Sequence, residues 1–455
     1  MASTGPDPRM QVEIQAQRPG NTGVVLGHLD GTRCVMVDLG RASEPAALTA
    51  DDGIQLAIAA FTARSQRLPL ICHLNSSGAP PDEGTEALHG WGMAARELTR
   101  ASGVVPTIFC VRHAAVAGSA LLLGLADIVV MVADSYAYVS GPRMVQEFTG
   151  VPIDSTALGG AGRHGSTSGV AAFVAQDADD ADAIMAELLE LLPAHVDAPR
   201  PHRVTFDPVD RATPELADVV PTTATGSYDV RDVIAGVVDD GAFLEVRAAW
   251  ATNIVTAFAT IGGRTIGVVA NQPQALAGTL DIAASQKGAR FVSLCDAFGI
   301  PLVTFVDTPG FQPGKDLEWR GMIRHGAQLA FAYARATVPR ICVTLRKSYG
   351  GAYIVMDSRH MGNDLAFAWP SAEIAVMGAK GAVEILHRRA DPADRPRLEA
   401  EYEARLLNPY TAADRGSIDM VIDPGETRRT IAAGLDALAD KREPLPSRPH
   451  DNSPL

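Results

Sequence analysis

The chain has 455 residues, 47% of them hydrophobic and 20% charged, so a globular chain with a buried core is expected and a disordered one is excluded. Its 39 Lys and Arg face 53 Asp and Glu, a formal charge of −14. That balance argues against nucleic acid or a membrane surface as partner, since either needs a broad basic face.

Taken in chain order, residues 1–20 are polar, lack an apolar leader core, and are expected to be a disordered or extended arm. The first strand signal is DGTRCVMVDLG (30–40), followed by the alanine-rich helical pattern DGIQLAIAAFTARS. RLPLICHLNSSG (67–78) reads as a turn, a short buried strand and a glycine-bearing loop, and VVPTIFCVRHAAVAGSALLL (104–123) as a strand entering a helix. The most apolar run, Leu121 to Val132, carries Asp127 and is too short to span a bilayer. After the helical pattern IMAELLELL, the stretch from Ala194 to Asp229 is crowded with Pro, Asp and Thr. It predicts a linker, 194–225, between an N-terminal domain, 21–193, and a C-terminal domain, 226–442, with a proline-rich tail at 443–455. The five cysteines, Cys34, Cys72, Cys110, Cys295 and Cys342, form no C-x-x-C pair, so neither a zinc ribbon nor a disulfide framework is expected. Free thiols fit a reducing, cytoplasmic compartment.

The two domains repeat each other. RLPLICHLNSSG lies 232 residues before GIPLVTFVDTPG (299–310), and DGTRCVMVDLG stands at the same offset from GGRTIGVVANQ (262–272). VVPTIFCVRHAAVAGSALLL faces TVPRICVTLRKSYGGAYIVM (337–356) at offset 233, and VSGP (139–142) faces VMGA (376–379) at 237. Four blocks in order with five residues of drift predict a duplication, and strand–helix alternation within each copy predicts an α/β fold.

The paired blocks also suggest chemistry. RKSYGGAYIVM ends a strand on two glycines and enters a helix, whose first turn has unpaired N–H groups. The adjacent amides of Gly351 and Ala352 could hold a developing oxyanion there, and Gly118 with Ser119 stand at the equivalent place in the first copy. Either block alone is better explained by close strand–helix packing; as a matched pair they point to a reaction with two oxyanions. No Walker A, G-x-S-x-G, H-E-x-x-H or G-x-G-x-x-G pattern stands in its required context, and no metal site is predicted. The lysines, Lys287, Lys315, Lys347, Lys380 and Lys441, all lie in the second half. Such an enzyme works by positioning and backbone electrostatics, or uses chemistry carried by its substrates.

VANQPQALAGTLDIAASQKGARFVSLCDAFGIPLVTFVDTPGFQPG, RKSYGGAYIVM, AWPSAEIAVMGAKGAVEILHRR, NPYTAADRGSIDMVIDP and HDNSPL together closely resemble the carboxyltransferase subunits of biotin-dependent acyl-CoA carboxylases, the propionyl-CoA and acetyl-CoA carboxylase β-chains. In the first half SGP (140–142) and LGGAGRHGSTSGVA (158–171) match the same family.

The resemblance implies two tandem homologous crotonase/ClpP-like domains, with active sites between the N-domain of one subunit and the C-domain of its partner in a homo-oligomer, a dimer or a trimer of dimers. It implies an acyl-CoA substrate, and carboxybiotin delivered on a biotin carboxyl carrier chain charged by a biotin carboxylase. Gly118 with Ser119, and Gly351 with Ala352, are then the two oxyanion holes, the first favoured for the thioester. Ser76, Gly78, Ala79, His164 and Ile354 are the expected substrate-binding residues, and Gly310, Phe311 and Tyr353 the expected biotin-binding ones. Ile354 would cap the acyl group, an ordinary helix-core place being the equal alternative. The same residues would serve a decarboxylase or transcarboxylase acting on malonyl- or methylmalonyl-type thioesters, or survive in a non-catalytic paralogue. Departures gather in the first half. The family's N-terminal helical segment is missing, Pro80 replaces an arginine, and Ala117-Gly118-Ser119 stands where the family has G-G-A. Arg33, Arg112 and Arg163 are the cations left there for coenzyme A phosphates, and Asp281 and Asp307 are expected to order loops.

Overall fold

The structure is a computed structural model that describes residues 10–17, 22–40, 45–223, 226–448 and 450–454. It divides into two compact units. The first runs to Pro201 and takes in Arg247–Trp250; the second comprises His202–Val246 and Ala251 onward. The Pro- and Asp-rich stretch expected as a linker is thus shared between the units, its residues after Pro201 packing with the second. Of the expected N-terminal arm, Met10–Gln17 forms a strand, whereas residues 1–9 and 18–20 lie outside the described residues.

The first unit is built on strands β1 (Met10–Gln17), β2 (Thr22–Leu29), β3 (Thr32–Leu39), β4 (Ala46–Ala47), β5 (Leu70–Gly78), β6 (Thr107–Val116), β7 (Ile128–Val132), β8 (Tyr136–Tyr138) and β9 (Phe173–Ala175). The second has β10 (Phe243–Glu245), β11 (Ile254–Ile261), β12 (Arg264–Asn271), β13 (Leu302–Thr308), β14 (Arg340–Tyr349), β15 (Leu365–Ala368), β16 (Glu373–Ala375) and β17 (Met420–Val421). The main sheet orders are β1-β2-β3-β5-β6-β7-β9 and β10-β11-β12-β13-β14-β15-β17, the same topology twice. In each, the first three strands are antiparallel and the rest parallel. The short β8 and β16 branch off the ends of β6 and β14.

Fully buried parallel strands read as apolar runs, as β7 does; β13 is also buried at every position although it carries Thr304, Asp307 and Thr308. The helix Ala50–Gln66 begins at a capping box, with Thr49 accepting from the Asp52 amide and Asp52 accepting from the Thr49 amide. It packs on the helix Thr85–Ala101 so closely at Gly53 and Gly90 that neither position has room for a side chain. In the second unit the corresponding pair is Ile282–Ala297, capped by Asp281 through the Ala284 amide at 2.8 Å, and Met322–Arg335. No helix of the described residues is long and apolar enough to cross a membrane.

Candidate active site

In the second unit β14 runs out through Tyr349 into Gly350, whose φ of +58° lies where side chains are rarely tolerated; a Cβ there would also stand 3.1 Å from the Val376 carbonyl oxygen. This turn starts the helix Gly350–Val355, and the Gly351 and Ala352 amides belong to its first turn, where intrahelical acceptors are lacking. Gly351 is exposed and Ala352 fully buried. A groove of about 370 Å³ opens beside Gly351, lined by Phe311, Met322, Ile323, Gly326, Ile354 and Val355, with Glu318 as its charged wall residue. The Phe311 ring is held between two glycines: a Cβ on Gly326 would approach it to 3.2 Å and one on Gly351 to 3.3 Å.

In the first unit β6 is followed by Ala117, which holds φ +60° and ψ −127° and donates its amide to the Tyr138 carbonyl at 2.9 Å. The short helix Gly118–Leu122 follows. The Ser119 hydroxyl donates back to the Val116 carbonyl at 2.9 Å, so it is committed to the strand end. The Trp91 ring lies 3.9 Å from where a Gly118 Cβ would stand. Ser76 and Gly78 sit at the end of β5 alongside this turn. Ser76 pairs with Ala115 in the ladder and accepts from the Gly78 amide at 3.1 Å, and a Cβ on Gly78 would meet Ala117 at 3.7 Å. Ala79, half-buried, follows directly.

Each unit therefore gathers part of the expected set. Gly351, Phe311 and Ile354 meet at the groove; Gly310, with φ +140°, leads the chain into Phe311. Tyr353 is turned the other way, packed with Ala366, Ala368, Ile374, Ala412 and Ile418 in a separate apolar cluster. His164 stands on the turn after Ala161–Arg163. Its Nε2 donates to the Ala137 carbonyl and its Nδ1 accepts from the Ser168 hydroxyl, both at 2.7 Å, which ties this turn to β8. Of the arginines considered for phosphate, Arg33 pairs with Glu13, Arg112 with Asp182, and Arg163 is exposed. The groove wall on Met322–Arg335 had no motif in sequence. Its only signal was the small residues Gly326, Ala327 and Ala330 on one face of an amphipathic helix.

On β14, shortly before the second amide pair, lies a buried polar knot. Asp307 Oδ1 accepts from the Lys347 amide at 3.0 Å, and Oδ2 accepts from the Tyr228 hydroxyl at 2.9 Å and Arg346 Nε at 3.0 Å. Burial pushes the Asp307 carboxyl up, with Arg346 and the Lys347 amide opposing that effect. The cysteines offer no nucleophile. All five are buried, and burial pushes the Cys34 and Cys110 thiols up to about 12. Among the described residues no group of three or more His, Cys, Asp or Glu could hold a metal ion. What the site offers chemically is main-chain donors on rigid strand ends.

The carboxyl transferase domain matches residues 12–453. The chain is 46% identical over 394 residues to the propionyl-CoA carboxylase carboxyltransferase subunit of Haloferax mediterranei, covering 85% of this chain and 76% of that one. It is 45% identical over 395 residues to the methylmalonyl-CoA carboxyltransferase 12S subunit of Propionibacterium freudenreichii subsp. shermanii, covering 85% and 75%. A solved transcarboxylase 12S structure, a hexamer with hydrolysed methylmalonyl-coenzyme A bound, superposes with a TM-score of 0.93 at 40% identity over 96% of this chain and 85% of that one. The chain belongs to the carboxyl transferase domain family and is a carboxyltransferase subunit of the biotin-dependent acyl-CoA carboxylase type.

Proposed function

We propose that Gly118 with Ser119, and Gly351 with Ala352, are the donor pairs that stabilise the two oxyanions of carboxyl transfer to the α-carbon of an acyl-CoA, the first pair serving the thioester. Carboxybiotin, delivered on a biotin carboxyl carrier chain charged by a biotin carboxylase, supplies the carboxyl group and, once that group is lost, a ureido nitrogen able to accept a proton. This chain's part is to hold the thioester carbonyl and the ureido oxygen where their negative charge develops. Each preorganised donor is worth about 3–4 kcal/mol in the rate by comparison with single oxyanion-hole deletions. Phe311 and Ile354 form apolar wall beside Gly351. The observation that carries the reading is that two equivalent strands, β6 and β14, each end in a positive-φ turn and deliver two amides at a helix start. The substrate-binding set Ser76, Gly78 and Ala79 borders the first pair, and the chain works as a homo-oligomer, a dimer or a trimer of dimers.

The likeness to the 12S subunit favours a second reading, transfer between a carboxylated thioester and a carrier-bound biotin acceptor. Both readings are tested by incubating the purified chain with methylmalonyl-CoA and free biotin and following thioester mass. Biotin-dependent decarboxylation is expected, with loss of activity in Gly351→Pro, which lacks the N–H. Full activity in that variant would reject the assignment of the pair.

A further inference from the structure

The strands that carry the two amide pairs are both bulged just before their turns, and the bulges differ in charge. In the first unit Leu74 faces Val111 but Ser76 faces Ala115, so Asn75 stands opposite residues 112–114. In the second, Val306 faces Thr344 but Thr308 faces Ser348, so Asp307 stands opposite residues 345–347. A bulge breaks the ladder and frees the strand to twist unless its groups are bound elsewhere. A carboxamide provides one acceptor oxygen at this place. A carboxylate provides two, and Asp307 uses both to collect a main-chain N–H, a phenol and a guanidinium. Arg346 carries the lock further, its Nη1 donating to the Thr223 carbonyl at 3.1 Å and the Gly226 carbonyl at 2.8 Å. Asp307, Arg346 and Tyr228 are at most 6% exposed, so water cannot substitute for any of these partners.

Between the Lys347 amide and Gly351 lie only Ser348, Tyr349 and Gly350. Ser348 and Tyr349 are themselves paired in register with Ile374 and Ala375 of β16, so a rotation of the peptide at Lys347 passes along the strand to the turn. Amide donors stabilise an oxyanion only while aimed within about 0.5 Å of their target. We propose that Asp307 is a positioning residue for the Gly351–Ala352 donor pair, acting through the Lys347 N–H; the proposal rests on the reading of that pair as oxyanion-binding donors. Arg346 pairs with the carboxylate and offsets its charge.

The test compares two full-length double variants from which both charges are removed. Asp307→Asn/Arg346→Gln keeps an acceptor for the Lys347 amide; Asp307→Ala/Arg346→Gln does not. In biotin-dependent decarboxylation of methylmalonyl-CoA, kcat is expected at least tenfold lower in the alanine form than in the asparagine form, with KM for the thioester within threefold. Equal kcat values, or a shift confined to KM, overturn the proposal. So does failure of the asparagine form to fold, because Asn75 occupies the matching bulge of the first unit. Gly351→Pro, run alongside, separates the two layers: inactivity there with equal kcat in the double variants rejects the positioning role alone, whereas full activity there rejects the donor pair and the positioning role with it.

Discussion

The Phe311 ring lies across Gly351, and a methyl group on that glycine would stand 3.3 Å from the ring's Cε2 and 3.5 Å from Cδ2. One wall of the groove and one donor residue therefore share a surface, and no side chain can be added at Gly351 without pressing on the ring.

Gly351→Ala puts that methyl group against the ring while leaving the N–H in place. Phe311 is confined on its other side by Gly326 and cannot retreat freely. The expected result is a loss of about tenfold or more in kcat, from displacement of the donor or the ring, with a fold change in stability no larger than ordinary overpacking, about 1–3 kcal/mol. Steady-state kinetics and thermal unfolding of the same preparation check it.

Ile354 lines the groove two residues past Ala352 and is about half exposed there. Ile354→Phe is expected to narrow the space for the acyl group. Assayed with malonyl-, methylmalonyl- and ethylmalonyl-CoA, the variant should lose kcat/KM progressively with acyl size, by about tenfold or more for each added methylene, since one methylene is worth about 1–3 kcal/mol in an apolar pocket. A uniform loss across the three thioesters would place Ile354 away from the acyl group.

Ala117 holds a backbone conformation suited to glycine, φ +60° and ψ −127°, at a cost of about 1–3 kcal/mol. Ala117→Gly relieves that cost and gives back part of it in unfolded-chain entropy. A net stabilisation of about 1 kcal/mol is expected, read as a rise in Tm of about 2–4 °C. Scanning calorimetry or circular dichroism would show it, and a lowered Tm would contradict it.

Asp239 gives a pH signature. Burial alone would raise its carboxyl, but hydrogen bonds from the Gly263 amide, Arg428 and the Gly262 amide, at 2.8, 2.7 and 2.9 Å, carry it below the usual carboxylate value. A depressed folded-state value means that this contribution to stability is fully present above the unfolded-state value near 3.9 and is lost as pH falls from there through the folded-state value. Asp239→Ala leaves Arg428, which has no exposed surface, with Asp207 as its remaining carboxylate at 3.5 Å, and is expected to cost about 1–3 kcal/mol at pH 7. Denaturant unfolding at pH 7 and pH 3 would show the difference between variant and parent shrinking at the lower pH.

How much of this was legible in sequence follows from how local each feature is. The turns at Gly350 and Ala117 were readable because a strand that must reverse through positive φ into a helix leaves a glycine-rich block, and the duplication places the alanine of one copy on the glycine of the other. The caps were readable for the same reason: the Asp281 carboxylate caps its helix through the amide of Ala284, three residues on, although the bond it also accepts from Asn253 was not. The direction of Tyr353 was not. It sits in the most distinctive motif of the chain, yet it faces Ile374 and Ile418 rather than the groove, because successive residues of one helical turn point about 100° apart and a motif does not say which of them meets the neighbouring elements. His164 likewise stands in a recognisable block, but its two hydrogen bonds reach Ala137, which lies 27 residues back, and Ser168.

By itself the sequence determined that this is a duplicated α/β chain and where its two amide-bearing turns lie; these features rest on hydrophobic period and block spacing and on short-range turn and cap signals. The carboxyltransferase type was legible only through the resemblance of its motifs to that family. Only the tertiary structure decided the far wall of the groove on Met322–Arg335, the confinement of Phe311 by two glycines, and the union of Asp307 with Arg346 and Tyr228, partners 39 and 79 residues away. Those depend on which faces the sheet brings together and on an offset of two residues in the pairing of β13 with β14. Pairing register is set by packing across strands, a relation that no single stretch of sequence contains.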